Sequence, residues 1–275
     1  MNIFHALILG LIEGLTEFLP ISSTAHLVLA GEWLRLPSSD FLKTFEISIQ
    51  LGAILAVVVL YWKRIWSSWQ LVGRIIAAFL PTAVIGLAFY KTVKDYLLDN
   101  TYIIAAALFL GGIVIIWFER SYSRRLSGKV TTVAAALADN QAVLPPQTIS
   151  YQQAVVIGLC QSLAIIPGTS RAAATIIGGL GLGIKRQEIV EFSFLLAIPT
   201  MLAATGLDLI KSRAALAALS GYDLSVWLIG FVMAFITAII GVRFFLRYIQ
   251  KNDFVAFGWY RIVFGLAILV WLFLA

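Results

Sequence analysis

Apolar residues run along this chain in blocks too long and too unbroken for a soluble fold. Six stretches, roughly 45–62, 75–90, 102–118, 192–210, 224–245 and 257–275, approach the about 20 residues that a bilayer crossing needs. Four more, 3–19, 24–34, 151–166 and 172–184, are apolar but short or interrupted. As a helix, 24–34 rises only about 16 Å, so it cannot cross alone. Pro20 and the Pro167-Gly168 pair separate the members of each short couple and break the helical pattern there. Each couple therefore reads as a re-entrant helix–loop–helix, a backbone tolerated at membrane depth only where protein or a water-filled cavity surrounds it.

Composition agrees with this pattern: 61% of residues are hydrophobic and 12% charged, against the roughly 25% charged of soluble domains. The net charge of +6 is too small and too scattered for a nucleic-acid surface, and basic residues in a membrane chain report topology instead. They cluster at Lys63, Arg64 and Arg74; at Arg120, Arg124, Arg125 and Lys129; at Lys185 and Arg186; and at Arg243, Arg247 and Lys251. Placing these groups in the cytoplasm fits six spans and puts both termini outside, with Lys211 and Arg213 against the trend. No Lys or Arg precedes Arg35, and Glu13 and Glu17 interrupt the first apolar stretch, so the N-terminus is expected to be mature and not a cleaved signal. Cys160 allows no internal disulfide and reads as a buried filler.

The chain repeats itself. Gly10-Leu11-Ile12-Glu13-Gly14-Leu15 resembles Gly158-Leu159-Cys160-Gln161-Ser162-Leu163 at an offset of 148. After a one-residue slip to 147, Pro20-Ile21-Ser22-Ser23 matches Pro167-Gly168-Thr169-Ser170, and Phe45 matches Phe192. The expected fold is an all-α polytopic membrane protein with two halves, each of three transmembrane helices plus a re-entrant couple. The first repeat is 1–118, a cytoplasmic linker containing Pro145-Pro146 is 119–150, and the second repeat is 151–275. Three spans per half is an odd number, so the repeats must be inverted, and such folds place a site near the midplane where broken helix ends meet.

Costly polar residues fall at those breaks. Glu13 and Glu17 share one helix face, and two carboxylates one turn apart suit a divalent cation that is also bound by substrate phosphates. Ser22, Ser23 and Thr24 open a short helix whose N-terminus offers free N–H groups to an anion; taken alone, they are equally ordinary caps. His26 follows two residues later. In the second loop, Ser170 and Arg171 open the helix that contains Thr175, and Arg171 is the only Lys or Arg between Lys129 and Lys185. A guanidinium amid apolar flanks needs an anionic partner, and its planar fork matches phosphate. The set reads as metal-assisted phosphoryl chemistry on a lipid-borne phosphate. Glu46 and Gln50 could line the same cavity or bond between helices, and Asp208 and Arg261 read as interface anchors.

Glu13-Gly14-Leu15-Thr16-Glu17-Phe18-Leu19-Pro20-Ile21-Ser22-Ser23-Thr24-Ala25-His26 and Pro167-Gly168-Thr169-Ser170-Arg171-Ala172-Ala173-Ala174-Thr175 resemble the two signatures of the undecaprenyl-diphosphate phosphatases of the bacitracin-resistance type. Phe45-Glu46, the run Gln50–Val58 and the run Phe192–Pro199 also fit. The resemblance implies a metal-dependent hydrolase of the bacterial inner membrane, open to the periplasm. It would convert undecaprenyl diphosphate to the monophosphate and phosphate, recycling the peptidoglycan carrier lipid and conferring bacitracin resistance. It further implies that Glu13 and Glu17 bind the metal, Mg2+ with Ca2+ as the alternative. Glu17, Ser23 and His26 would be catalytic, Ser23 as nucleophile or phosphate ligand and His26 as its acid–base partner. Ser22, Thr24, Ser170, Arg171 and Thr175 would bind the diphosphate. A serine nucleophile and a directly activated water both stay open at this point, and a homodimer is permitted. The family usually has glycine at Ala25 and serine at Ala172, which predicts altered affinity or substrate preference. The other large class of lipid phosphatases needs an Arg-Pro signature that this chain lacks. The competing reading from another class is a polyprenyl-phosphate flippase, which would need the arginine and helix ends but not paired acids beside a serine and a histidine.

Overall fold

Serine or asparagine precedes several of the helices into which this chain folds. The computed structural model describes residues 1–37, 39–97, 100–137, 149–211 and 220–274, with 125–137 as backbone alone. Pro145, Pro146 and Arg213, and the side chains of Arg125 and Lys129, lie outside the described residues. Among those described there are ten α-helices: α1 (Ile3–Thr16), α2 (Ser23–Trp33), α3 (Asp40–Ser67), α4 (Trp69–Thr92), α5 (Thr101–Leu137), α6 (Tyr151–Ser162), α7 (Arg171–Gly181), α8 (Arg186–Lys211), α9 (Gly221–Ile249) and α10 (Val255–Leu274). Asn2 and Ser150 open α1 and α6, the first helix of each half, with reciprocal capping boxes. Ser68 accepts from Leu71 N and starts α4 directly after α3, so these two helices need no loop between them.

Six helices, α3, α4, α5, α8, α9 and α10, are long and apolar enough to cross a membrane. They contain the first five expected spans and 257–274 of the sixth. The four short helices coincide with the expected couples, broken at 17–22 and, after a single 3-10 turn over Leu163–Ile165, at 166–170. One boundary differs. Helix α5 continues to Leu137, so the first part of the stretch expected as a linker is a straight continuation of the third span. Ala134, Ala135, Ala136 and Leu137 are strong helix formers, and no proline intervenes before Pro145.

The two halves exchange partners reciprocally. Helix α1 packs on α9 and α6 packs on α4, while α5 and α10 pack on each other. Thr237 Oγ1 on α9 donates to Gly10 O (3.3 Å), and Thr82 Oγ1 on α4 donates to Gly158 O (2.9 Å). Gly10 and Gly158 are equivalent by the offset of 148, and both are glycine for the same reason. A Cβ on Gly10 would lie 2.5 Å from Gly230 O, and one on Gly158 would lie 1.9 Å from Ala78 O. Small residues let helices approach closely where dispersion, rather than water exclusion, drives association.

Backbone conformation also corrects the register of the repeat. Ser22 and Ser170 both cap 11-residue helices at φ 70°, and Arg35 (φ 52°) and Gly183 (φ 80°) follow the ends of those helices. Both pairs are 148 apart, so the slip to 147 expected in the loop does not occur there. Ser23 therefore corresponds to Arg171, not to Ser170, and each half supplies a different first residue to its short helix.

Arg186 and Glu191 are both ion-paired. Arg186 forks onto Glu119 at 2.5 and 2.9 Å, Glu119 is 1% exposed and also takes Phe254 N, and Glu191 bonds Arg64.

Candidate active site

Glu17 falls at the C-cap of α1 with helical backbone, and its N–H still reaches Glu13 O at 2.9 Å, so the two acids keep their one-turn spacing. The chain then turns through Pro20 and enters α2 at Ser22, whose left-handed backbone lets Ser23 fold back towards α1. Ser23 Oγ donates to Glu17 Oε2 at 2.5 Å. Glu13 is fully buried, and neither of its carboxylate oxygens has a hydrogen-bond partner.

The second loop mirrors this path. Gly168 sits at φ 91°, and a Cβ there would meet Ile104 O at 2.4 Å, so neither the backbone nor the space allows a side chain. Ser170 caps α7 by accepting from Ala173 N and also donates to Leu19 O of the first loop at 3.5 Å. Arg171, the first residue of α7, places Nη2 3.5 Å from Glu17 Oε1 and donates through Nη1 to Ser193 O at 2.8 Å. Its Nε and Nη2 are buried and make no hydrogen bond. Thr175, beneath it, is fully buried; its hydroxyl lies 2.6 Å from Ser193 Oγ and reaches the carbonyls of Arg171 and Ala172. Thr175 and Ser193 thus support the arginine from below.

Arg261 holds the two loops together. Expected as an interface anchor, it is completely buried, and its guanidinium donates to five backbone carbonyls. Those of Pro20 (3.1 Å), Gly168 (2.9 Å) and Thr169 (2.9 Å) belong to the loops, and those of Ala107 (3.1 Å) and Leu108 (3.3 Å) to α5. Gly111 faces it so closely that a Cβ would lie 2.1 Å from Nη2. Arg261 is the seventh residue of α10, roughly 10 Å from its start, too deep for an interfacial side chain.

His26 takes a different position from the one expected. Its Nδ1 lies 2.7 Å from Ser22 O and its Nε2 lies 2.6 Å from Tyr260 Oη, with the imidazole stacked on Phe264. Neither ring nitrogen bonds Ser23 or Glu17. Tyr260 and Ser193 were not singled out in the sequence, where a tyrosine near a span end reads as an anchor and a serine in a span as a helix–helix bond. The Ser22 side chain makes no capping bond, and Thr24 lies half-buried on the first turn of α2. Ala25 and Ala172 are fully buried: Ala25 packs on Ile104, Ala105, Leu108 and Ile268, and Ala172 lies in the main core. Both methyls lie in helix packing.

Comparison of the two halves tests whether a cation fits. Gln161, the counterpart of Glu13, donates through Nε2 to Thr82 Oγ1 and Thr200 Oγ1, both at 3.0 Å. Thr237, which bonds Gly10 O as Thr82 bonds Gly158 O, keeps its hydroxyl on backbone carbonyls, and neither Glu13 oxygen has a hydrogen-bond partner. Two carboxylates one turn apart, one with both oxygens buried and undonated, have the chemistry of a hard divalent cation site. They would supply two ligand groups only. Among the described residues no third His, Cys, Asp or Glu joins them, so remaining ligands would come from water or phosphate.

The family model described as bacitracin resistance protein BacA matches residues 6–267. The chain belongs to the bacitracin resistance protein family. Curated relatives named undecaprenyl-diphosphatase include those of Wolinella succinogenes, 47% identical with 99% of each chain covered, and Aquifex aeolicus, 45% identical with 97% of each covered. The relative of Bdellovibrio bacteriovorus is 40% identical over 99% of this chain and 97% of its own. Six apolar helices and this family membership make the protein a multi-pass membrane protein.

Proposed function

We propose that this membrane phosphatase hydrolyses undecaprenyl diphosphate to undecaprenyl phosphate and inorganic phosphate at the cluster of Glu17, Ser23 and Arg171, recycling the carrier lipid for peptidoglycan synthesis. The observation that carries this reading is the position of Glu17 between a hydroxyl and a guanidinium from opposite halves. A structural salt bridge would need no short serine contact on its other oxygen.

Arg171 and the free N–H groups at the start of α2 and α7 receive the phosphate oxygens, where they oppose charge that builds on the transferred group. Ser23 Oγ attacks the terminal phosphorus as its proton passes to Glu17, the bond to the bridging oxygen breaks, and undecaprenyl phosphate leaves with that proton, taken back from Glu17. Water then cleaves the phosphoserine, giving its proton to the restored Glu17 carboxylate, and phosphate departs while Ser23 recovers its proton. Glu13 and Glu17 would hold a divalent metal such as Mg2+, which supplies charge neutralisation for the phosphates when bound.

The bilayer arrangement we infer has both short helix couples re-entering from opposite faces of the bacterial inner membrane, the two halves inverted, and the site open to the periplasm. Reciprocal packing of α1 on α9 and α6 on α4 supports the two-fold relation. The test is phosphate release from undecaprenyl diphosphate by detergent-purified protein. Release that stops with a chelator and returns with Mg2+ is expected. Lipid movement across vesicles with no phosphate released would overturn the reading.

A further inference from the structure

Both nitrogens of the His26 ring are already committed. Ser22 O can only accept a hydrogen bond, so Nδ1 at 2.7 Å carries the proton. In the neutral ring Nε2 is then the acceptor, and Tyr260 Oη at 2.6 Å donates to it. To act as a base towards Ser23, the imidazole would have to give up one of these bonds, while Glu17 already accepts the Ser23 hydroxyl at 2.5 Å. Ser22 meanwhile has backbone at φ 70°, costly for a non-glycine residue, and its side chain makes no capping bond. The equivalent Ser170 sits at the same φ but is secured by its own hydroxyl on Ala173 N. One strained serine is fixed by its side chain, and the other by His26.

Building on the phosphatase reading, we propose that His26 is a positioning residue that works as a buckle: Nδ1–H holds the Ser22 carbonyl, and the Tyr260 hydroxyl locks the ring from the other side. The buckle fixes the left-handed turn that aims Ser23 at Glu17. Tyr260 is thereby a second positioning residue, 234 positions away and on the helix that also carries Arg261. The tyrosine ring lies parallel to the imidazole (interplanar angle 3°), and Phe264 stacks on the same imidazole, so the ring plane is held as well as its edges.

An asparagine at position 26 can present an amide N–H near the place of Nδ1 but cannot exchange protons as an imidazole does. Steady-state phosphate release should therefore fall by only about tenfold in His26→Asn and by roughly a hundredfold or more in His26→Ala, in kcat and not KM. Tyr260→Phe should lower kcat about three- to tenfold. His26→Asn as slow as His26→Ala, or Tyr260→Phe equal to wild type, overturns the buckle even though the enzyme reading stands. A readout independent of turnover comes from 15N NMR of histidine-labelled protein, which contains only two histidines. The buckle requires the Nδ1–H tautomer at His26 and a shifted Nε2 resonance in Tyr260→Phe. A ring protonated only at Nε2 overturns it whether or not phosphate is released, while a silent assay with the expected tautomer points to failure of the enzyme reading alone.

Discussion

Arg171 Nη2 stands 3.5 Å from Glu17 Oε1, an ion pair whose two members belong to different halves of the chain and to the breaks of two different helix couples. Both side chains are nearly buried, at 10% and 8% exposure. Burial of this kind gives little net stability, because desolvation offsets most of the attraction. Such a pair is better explained by what it does for a charged substrate than by what it does for folding.

Removing the charge of Glu17 while keeping its shape should separate chemistry from folding. In Glu17→Gln, kcat should fall by about a hundredfold or more, because the amide can still contact Ser23 but cannot take its proton. Unfolding temperature in detergent should change little. An active Glu17→Gln enzyme would remove the base from the mechanism.

Arg171→Lys should be a poor substitute, with kcat/KM down roughly ten- to a hundredfold. The ammonium cannot bond Ser193 O and face Glu17 in the planar fork that Arg171 uses. Kinetics of phosphate release against lipid concentration measure this directly, and a lysine variant as active as wild type would contradict the role of the fork.

Loop closure depends on Arg261. In Arg261→Met, the loop carbonyls of Pro20, Gly168 and Thr169 lose this donor at once, and each one left unsatisfied costs about 1–3 kcal/mol. The variant should lose both stability and activity. Gly111→Ala should do the same more mildly, since its Cβ would displace the guanidinium. Thermal unfolding of the two variants checks the order.

Helix contact at the reciprocal crossings gives a purely structural prediction. Gly158→Ala should destabilise by about 1–3 kcal/mol, because its Cβ meets Ala78 O, a backbone atom that can move only with α4. Gly31→Ala, where nothing lies within 4 Å, should be neutral. Denaturation midpoints in the same detergent compare them.

Sequence pattern revealed the spans, because twenty apolar residues have few other uses, and it revealed the breaks, because Pro20 and Pro167 cannot continue a helix. Glu17 and Arg171 stood out for a related reason, because ionisable groups in apolar stretches are costly, and Ser23 stood out only by its place between Pro20 and His26. The repeat register was not, since serines in adjacent positions look alike as letters and only the φ of Ser22 and Ser170 shows which one begins the helix. Arg261 was misread because a cation near a span end ordinarily reaches the interface, and its depth emerged only once α10 had a defined start. The partner of His26 lies on another helix far along the chain, and no local spacing points to Tyr260.

Glu17 and Arg171, from the two halves of the chain, build one site, and a double-mutant cycle on phosphate release measures their coupling. Glu17→Gln and Arg171→Ala should each be severely slowed, and the double variant should be about as slow as the worse single, because each alone already dismantles the same transition-state contacts. Losses that multiply, so that the double variant falls by the product of the two, would mean that Glu17 and Arg171 act independently and would contradict a shared site.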